Sequence, residues 1–397
     1  MIRSVYDIDV SGRRLVVRAD LNVPLAEGRV TDPTRITRFA GGMRPLLNRG
    51  AALVILSHFG RPKGRPDAAF SLRPLRDDLS RALGRPVRFA TLDEAGAEAI
   101  RLEHGQVLLV ENLRFDPSEE ANDPALARRL AGLGDIYVND AFSCAHRAHA
   151  STEAIARLLP SVAGPLMMEE MTALQKALEK PQRPSVAIVG GSKVSTKIDV
   201  LRNLVAKVDH VIVGGGMANT FLFAAGAPMG QSLHEADQVA TVEAIRDLAA
   251  KSGCTIHLPQ DVVVAREFRA GAASDVRAAQ ACPPDQMILD AGPAAVRAFT
   301  RVLESARTIL WNGPLGAFEM QPFDRATMAL AKVAAELTRG GTAVSVAGGG
   351  DTVAALNAAG VTEDFTYVST AGGAFLEWLE GRTLPGIAAL MRETEEV

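Results

Sequence analysis

Short apolar runs, each followed by a turn of glycine or polar residues, recur along the whole chain. In the second half these runs lie at 186–189, 211–213, 308–311, 343–347 and 365–368. A short continuous apolar run is typical of a strand buried on both faces of a parallel sheet. Apolar residues at helical spacing separate the first two runs, so the pattern predicts a βαβ unit with a right-handed crossover.

The first half follows the same plan with different side chains. Its apolar runs lie at 15–17, 53–56, 107–110 and 136–138, and arginine, histidine or carboxylate residues come after them. We therefore expect an α/β fold made of two doubly wound, Rossmann-like domains with parallel sheets, joined by a helical hinge. Ligands of such sheets bind outside the carboxyl ends of the strands, where these turns should converge.

A helix is predicted between the two halves. It covers 168–180, where one face carries Met168, Met171, Leu174 and Leu178, and prolines at 181 and 184 end it. The expected organisation is an N-terminal domain at 1–170, a connecting helix at 171–184, a C-terminal domain at 185–380 and a tail at 381–397 that packs back on the N-terminal domain.

Composition narrows the functional classes. The chain has 397 residues, a net charge of −3, 47% hydrophobic and 22% charged residues. These values predict a globular protein without an overall nucleic-acid footprint. The three cysteines, Cys144, Cys254 and Cys282, are widely spaced and form no CxxC pair, which favours reduced thiols over a disulfide frame or a zinc site. Without a signal-peptide pattern or a membrane-length apolar stretch, we expect a cytoplasmic protein with no membrane partner.

Basic side chains cluster after the strands of the first half. They are Arg18, Arg35, His58, Arg61, Arg114 and Arg147. A single arginine of this kind would ordinarily make a surface ion pair, but several in one domain indicate a site for a small, highly charged anion. The two histidines around Arg147, at 146 and 149, lack the carboxylate or cysteine partners of a metal site.

Glycine-rich turns follow the strands of the second half. Lys193 and Lys197 lie beside the glycines at 190–191, four residues apart around an expected helix start, where lysines and backbone N–H groups can meet phosphates. The alternative is a pair of solvated lysines. Gly349, Gly350 and Asp351 open another helix, so that Asp351 could hold Mg²⁺ or simply cap the helix. No Walker A pattern is present.

Two other functional classes stay open on these residues. Gly214, Gly215 and Gly216 partly match a dinucleotide fingerprint, but its final glycine and acidic partner are missing. A nucleotide-dependent dehydrogenase is therefore one alternative. The other is a non-catalytic nucleotide-binding or scaffold protein that has kept the fold.

Taken together, the segments resemble the phosphoglycerate kinase family over nearly the whole chain. The resemblance rests on the sequences at 17–24, 57–62, 111–115, 145–149, 191–197, 311–316 and 348–352. Departures are mild. Ser143 and Cys144 stand where the family usually has Gly-Thr or Gly-Ala, and Ala371 interrupts a usual Gly-Gly-Gly.

The resemblance implies a site for each of two substrates. The first domain would bind 3-phosphoglycerate through Asp20, Asn22, Arg35, His58, Arg61, Arg114 and Arg147. The second would bind MgATP or MgADP through Lys193, Lys197, Gly214, Gly215, Asn312, Glu319, Gly349, Gly350, Asp351 and Thr352. Asp351 would hold Mg²⁺, Arg35, Lys193 and Lys197 would be catalytic, and the protein would be a monomer without a nucleic-acid partner.

The implied reaction transfers a phosphoryl group between ATP and the carboxylate of 3-phosphoglycerate. A carboxylate of pKa roughly 3.5–4 is ionised at neutral pH, so no general base is needed. The enzyme must align the reactants and neutralise charge, and we expect the two domains to close over both substrates.

Overall fold

The structure is a computed structural model that describes residues 2–391. These residues form two compact units, one made of 2–171 together with 383–391 and the other of 172–382. In the described residues, no helix combines the length and the apolar character needed to cross a membrane.

The first unit is built on a parallel sheet. Its strands are β1 (Arg14–Arg18), β2 (Leu25–Ala26), β3 (Arg29–Val30), β4 (Ala52–Leu56), β5 (Val87–Ala90), β6 (Val107–Val110), β7 (Ile136–Asn139) and β8 (Ser161–Ala163). Six of them form the order β5-β6-β4-β1-β7-β8, all parallel, while β2 and β3 make a small antiparallel hairpin. The sequence predicted the four central strands and missed the two edge strands, β5 and β8.

Helices cover this sheet. They are α1 (Thr34–Asn48), α2 (Arg76–Leu83), α3 (Ala95–Ile100), α4 (Pro117–Glu120) and α5 (Pro124–Ala131). Along α1, Ile36, Phe39, Met43 and Leu47 are buried against the sheet in one core cluster. Burying side chains of this size stabilises the unit by about 1.5–3 kcal/mol each, before the entropy cost of ordering them. This packing fixes α1, and so it fixes Arg35 near the carboxyl end of β1.

A helix follows the last strand of this sheet. It is α6 (Pro165–Leu174), and it continues as a π-helical turn at Gln175–Glu179. The predicted apolar face needs one correction, because Met167 is fully buried there whereas Met168 is half-buried. The side chain of Asp140 binds the first turn of this helix, because its Oδ1 accepts the N–H of Leu166 at 2.7 Å.

The second unit contains a larger set of strands. They are β9 (Ser185–Val189), β10 (His210–Val213), β11 (Thr255–His257), β12 (Asp261–Ala265), β13 (Ser274–Ala278), β14 (Met287–Ala291), β15 (Thr308–Asn312), β16 (Val344–Gly348) and β17 (Tyr367–Ser369). A parallel sheet has the order β11-β10-β9-β15-β16-β17. Three further strands form an antiparallel sheet in the order β13-β12-β14, which the sequence did not predict. Strand β13 is exposed along its whole length, so it has no apolar run to read.

The helices of the second unit complete its fold. They are α7 (Ile198–Val205), α8 (Gly215–Ala224), α9 (Val239–Ser252), α10 (Pro293–Ser305), α11 (Arg325–Arg339), α12 (Gly350–Ala359) and α13 (Gly373–Leu379). Lys193 and Lys197, although four residues apart, do not lie on one helical face. Residues Val194–Thr196 form a 3-10 turn, and α7 begins only after Lys197. Lys193 is exposed and Lys197 half-buried.

The end of the described chain belongs to the first unit. Its helix α14 (Pro385–Ala388) is anchored where the N–H of Gly386 donates to the carbonyl oxygen of Ala145 at 2.9 Å. Leu384, Ile387 and Leu390 are buried, whereas Met391 is 52% exposed. The rest of the predicted tail, 392–397, lies outside the described residues.

Candidate functional site

Asp20 is the centre of a hydrogen-bonded cluster just beyond the end of β1. Its Oδ2 accepts from Nη1 of Arg35 at 2.9 Å and from the hydroxyl of Ser143 at 2.6 Å. Its Oδ1 accepts the N–H of Asn22 at 3.1 Å. Burial alone would raise the pKa of Asp20, but the charge of Arg35 leads the opposing effects and the pKa is lowered. Asp20 is therefore a carboxylate that orients Arg35.

The turn at 58–61 is held from two sides. The N–H of Gly60 donates to Oδ1 of Asn22 at 3.0 Å, and Nη1 of Arg114 donates to the carbonyl oxygen of Gly60 at 2.8 Å. Nε of Arg114 also lies 3.4 Å from a carboxylate oxygen of Glu120. These contacts link Asn22 and Arg114, which are far apart in sequence, to the turn that carries His58 and Arg61.

Arg18 behaves differently from the other arginines. It is completely buried, so it cannot contact a ligand, and its inclusion among the anion-binding arginines was wrong. Its Nε donates to the hydroxyl of Ser151 at 2.9 Å, and Nη2 lies 3.2 Å from Nδ1 of His58. The buried carboxylate of Glu119 accepts from the same Ser151 hydroxyl at 2.5 Å. Arg18 therefore acts on the site indirectly, through its contacts with Ser151 and His58.

Arg61 and Arg147 are the exposed cations of this unit's predicted set. Arg147 follows a 3-10 turn, and its Nε donates to Nε2 of His146 at 3.2 Å. Burial, followed by the charge of Arg18, lowers the pKa of His149 to about 4. Within residues 2–391 no group of three or more His, Cys, Asp or Glu side chains could hold a metal ion.

The second unit gathers its predicted residues at the carboxyl ends of β9, β15 and β16. Nζ of Lys197 donates to the carbonyl oxygens of Gly190 at 2.6 Å and Asn312 at 3.1 Å. Burial lowers the pKa of Lys197 to about 8, against the opposing effect of the Asp351 carboxylate. The ammonium group is thus held between two loops with a carboxylate nearby.

Asn312 and Thr352 connect these loops. Nδ2 of Asn312 donates to the carbonyl oxygen of Gly348 at 2.8 Å, and the hydroxyl of Thr352 accepts the N–H of Gly313 at 2.7 Å. Both side chains are almost fully buried. In this structure they hold the turn around Gly349 in place, and their direct contact with a nucleotide stays a prediction.

Gly214 and Gly215 are required by the packing of the loops. A Cβ on Gly214 would lie 2.7 Å from Cα of Leu315. Gly215 has a φ of +66°, and a Cβ on it would lie 2.7 Å from the carbonyl oxygen of Gly191. Larger residues would force the loops apart, so these glycines shape the site through their neighbours.

A groove runs along this unit beside the glycine turns. Among the predicted residues it is lined by Gly215, Glu319 and Asp351, of which the two carboxylates are exposed. Its apolar wall comes from residues that the sequence analysis missed: Leu233, Phe268, Ile288, Leu289 and Phe318. These come from β14 and from loops, where no helical or strand periodicity marked them. The groove also reaches the first turns of α8 and α12, at Gly215 and Asp351. An apolar groove that ends at a helix N-terminus suits a flat ring carrying phosphates.

Comparison with known proteins agrees with this geometry. The model of the family described as phosphoglycerate kinase matches residues 5–382. The chain is 58% identical to a phosphoglycerate kinase of Dinoroseobacter shibae, covering 98% of each chain, and 57% identical to that of Novosphingobium aromaticivorans, covering 96% and 97%. It is also similar to the solved structure of the Coxiella burnetii phosphoglycerate kinase, with a TM-score of 0.93, 43% identity and coverage of 98% and 99%.

Proposed function

The chain belongs to the phosphoglycerate kinase family, and from this premise we propose how its residues carry out the family's reaction. That reaction is the reversible transfer of a phosphoryl group between ATP and the carboxylate of 3-phosphoglycerate, a step of glycolysis that forms ADP and 1,3-bisphosphoglycerate. Membership decides against the dehydrogenase and the non-catalytic scaffold that the sequence left open.

We assign 3-phosphoglycerate to the first unit. The supporting observation is the cluster around Asp20, in which the carboxylate orients the half-buried Arg35. The proposed contacts are Asp20, Asn22, Arg35, His58, Arg61, Arg114 and Arg147. Cations outnumber carboxylates in this set, as a ligand with a phosphate and a carboxylate requires. Asp20, already bonded to Arg35 and Ser143, fits an orienting role better than that of a base.

We assign ATP or ADP to the second unit. The apolar wall of the groove would hold the adenine, and exposed Glu319 would meet the ribose. Phosphates would lie against Lys193, Lys197 and the turn at 349–352, where α12 begins. The N–H groups and the positive end of the helix dipole favour phosphate there. Asn312 and Thr352 would act by holding this turn.

The residues present fit Mg²⁺. Asp351 is an exposed carboxylate in the first turn of α12. Mg²⁺ commonly keeps several waters and takes one or two carboxylates together with substrate phosphates, so a single aspartate is a sufficient protein donor. Mg²⁺ bound there would neutralise phosphate charge. We expect that Asp351→Asn raises the Mg²⁺ concentration for half-maximal activity by about tenfold or more, because it removes the anionic ligand.

The chemistry then depends on position and charge. The substrate carboxylate is the nucleophile without proton transfer, and Arg35, Lys193 and Lys197 supply the positive charge that the transferring phosphoryl group requires. We further propose a cytoplasmic monomer, since two small-molecule sites, one in each unit, need no second chain. Light scattering that gives a dimer mass would remove the monomer assignment.

An assay of the purified protein with ATP, Mg²⁺ and 3-phosphoglycerate, coupled to consumption of 1,3-bisphosphoglycerate, tests the proposed roles. Arg35→Ala should lower kcat by roughly a hundredfold or more and change the nucleotide Kd much less, because the lost charge acts on the transition state. Arg44→Ala, an exposed position of the same helix, is the matched control. Near-normal turnover of Arg35→Ala would remove Arg35 from catalysis.

A further inference from the structure

His58 is the only histidine in the proposed substrate set, and its protonation decides what it offers a ligand. We infer that Arg18 and Cys144 hold His58 as a neutral imidazole with its proton on Nε2, so that it gives the substrate an uncharged N–H donor and acts neither as a cation nor as a base. This inference deepens the proposed function and rests on it for the identity of the ligand.

The contact with Arg18 determines the direction of one hydrogen bond. Nη2 of Arg18 lies 3.2 Å from Nδ1 of His58, and both side chains are buried. A guanidinium has five N–H donors, has no acceptor and stays protonated in proteins. Nδ1 must therefore be the acceptor, which excludes both an Nδ1–H tautomer and an imidazolium ion in this geometry. The remaining ring proton is on Nε2.

Cys144 acts in the same sense. Its Sγ lies 3.8 Å from Nδ1 of His58, within the range of a sulfur hydrogen bond. Burial raises the pKa of the Cys144 thiol, although the nearby Arg18 opposes this. The sulfur is therefore a protonated thiol at neutral pH, and a thiol can donate to Nδ1. Two donors thus converge on one ring nitrogen.

Arg18 cannot easily turn away from His58. Its Nη1 donates to the carbonyl oxygen of Ala19 at 2.5 Å and its Nε to the hydroxyl of Ser151 at 2.9 Å. The backbone N–H and the hydroxyl of Ser151 both donate to Glu119, which is completely buried. The side chains of Glu119, Ser151 and Arg18 therefore form a chain of hydrogen bonds, and Arg18 at its end is the donor to Nδ1 of His58.

The charges around His58 also favour the neutral ring. Burial is the largest cause that lowers the pKa of His58 well below its usual value, and Arg18 is the next. Arg114 and His149 act in the same direction, while Asp20 alone opposes them. Within residues 2–391, both hydrogen-bond contacts of the His58 ring are made by Nδ1, so the N–H on Nε2 is left for a ligand.

A neutral donor suits this reaction. The nucleophile is an ionised carboxylate, so a histidine that could take a proton would add nothing to its formation. An Nε2–H group can donate to an anionic oxygen without changing its own charge between about pH 6 and pH 8, where an ordinary histidine titrates. Arg18 and Cys144 are positioning residues here, because they act through His58.

Long-range ¹⁵N–¹H NMR spectra of protein with ¹⁵N-labelled histidine test the inference directly on the wild type. His58→Gln identifies the signal by its loss. We expect the pattern of the Nε2–H tautomer, unchanged between about pH 6 and pH 8. An Nδ1–H pattern, or an imidazolium near neutral pH, would overturn the inference.

Variants test the part played by Arg18. In Arg18→Met the pKa of His58 should rise, although burial still keeps it below the ordinary value, or the signal should show both tautomers, because a donor to Nδ1 and a nearby positive charge are lost. If that variant does not fold, Ser151→Ala, which removes the acceptor of Arg18 Nε, should move the signal in the same direction. A His58 signal that stays unchanged in the variants that fold would remove Arg18 from this role.

The coupled assay separates the two proposals. An active enzyme with the wrong tautomer overturns only the inference, and an inactive protein with the expected tautomer overturns only the proposed function.

Discussion

Glu235 accepts two hydrogen bonds from Ser195, one from its backbone N–H at 2.9 Å and one from its hydroxyl group. Ser195 lies in the 3-10 turn between Lys193 and Lys197. Glu235 is itself held by α8, because its N–H donates to the hydroxyl of Thr220 at 3.1 Å. The carboxylate therefore connects the proposed phosphate-binding turn to the helix that begins at the neighbouring glycine turn.

We expect Glu235→Ala to raise the KM for ATP by about tenfold, because losing two charge-assisted hydrogen bonds of roughly 1 kcal/mol or more each lets the lysine turn move. The KM for 3-phosphoglycerate should change little. The KM for ATP of Glu235→Gln, which keeps one acceptor oxygen, should lie between those of the wild type and Glu235→Ala. Glu243→Ala, an exposed position on α9, is the control. Equal changes in both KM values would contradict a local effect on the turn.

Lys197 predicts a pH dependence of nucleotide binding. Its pKa is lowered to about 8, chiefly by burial, so the free protein loses this positive charge as the pH rises through that value. The Kd for ADP, measured by calorimetry, should therefore rise by about tenfold between about pH 7 and pH 9. Lys197→Met should bind weakly with a flat profile, whereas Lys193→Met should keep the slope. The same slope in Lys197→Met would assign the titration to another group.

Asp140 predicts a pH dependence of stability. Burial raises its pKa to about 7, while the N–H groups of Leu166 and Met167 oppose the shift, and no described residue forms a hydrogen bond with its Oδ2. Because the folded protein binds this proton more tightly than the unfolded chain, the stabilisation is complete below about pH 4. It is lost at about 1.4 kcal/mol per unit as the pH rises towards 7.

Asp140→Asn keeps an acceptor for Leu166 and has no charge to bury. Urea unfolding should show this variant gaining stability relative to the wild type from about pH 4 to pH 7, with no further gain above. Arg38 and Glu169 also influence the pKa of Asp140, so Glu169→Gln is a useful control for their contribution. A difference between the two proteins that does not vary with pH would refute this account.

Ser143 is a departure from the usual family residue that reaches Asp20 directly. Its hydroxyl donates to Oδ2 of Asp20 at 2.6 Å, the same oxygen that accepts from Arg35. Removing one charge-assisted hydrogen bond of about 1 kcal/mol should raise the KM for 3-phosphoglycerate about fivefold in Ser143→Ala, because Asp20 is then held less firmly. The nucleotide KM should stay unchanged.

Ser161→Ala is the matched control for that measurement. Its hydroxyl donates to backbone carbonyl oxygens of the same unit and makes no contact with the Asp20 cluster. If Ser143→Ala matches the wild type in steady-state kinetics, then the Ser143 hydrogen bond does not help to orient Asp20.

Strands were predicted correctly where a local run of apolar residues marks them. The run before Arg18 and the run before Gly190 are fully or almost fully buried strands at the centre of their sheets. Strand β13 has no apolar run, because it is exposed and makes its hydrogen bonds to β12. Periodicity records which face is buried, so it does not register a strand that buries neither face.

The 3-10 turn before α7 was not predicted, for a related reason. The apolar helical spacing begins at Ile198, and it says nothing about the residues just before it. Those residues are held by hydrogen bonds from Ser195 to Glu235 and from Lys197 Nζ to Gly190 and Asn312, whose partners lie elsewhere in the chain. A local pattern holds no information about those partners.

The amino-acid sequence alone determined that two parallel-sheet domains carry the polar groups at their strand ends, because strand periodicity and turn chemistry are local properties. Tertiary structure decided which of those groups can reach a ligand. Arg18 and Arg35 are the same residue type near the same strand, yet Arg18 is completely buried near Glu119, while Arg35 is half-buried beside Asp20. Burial depends on the atoms that distant segments bring to the same place, and only folding brings them there.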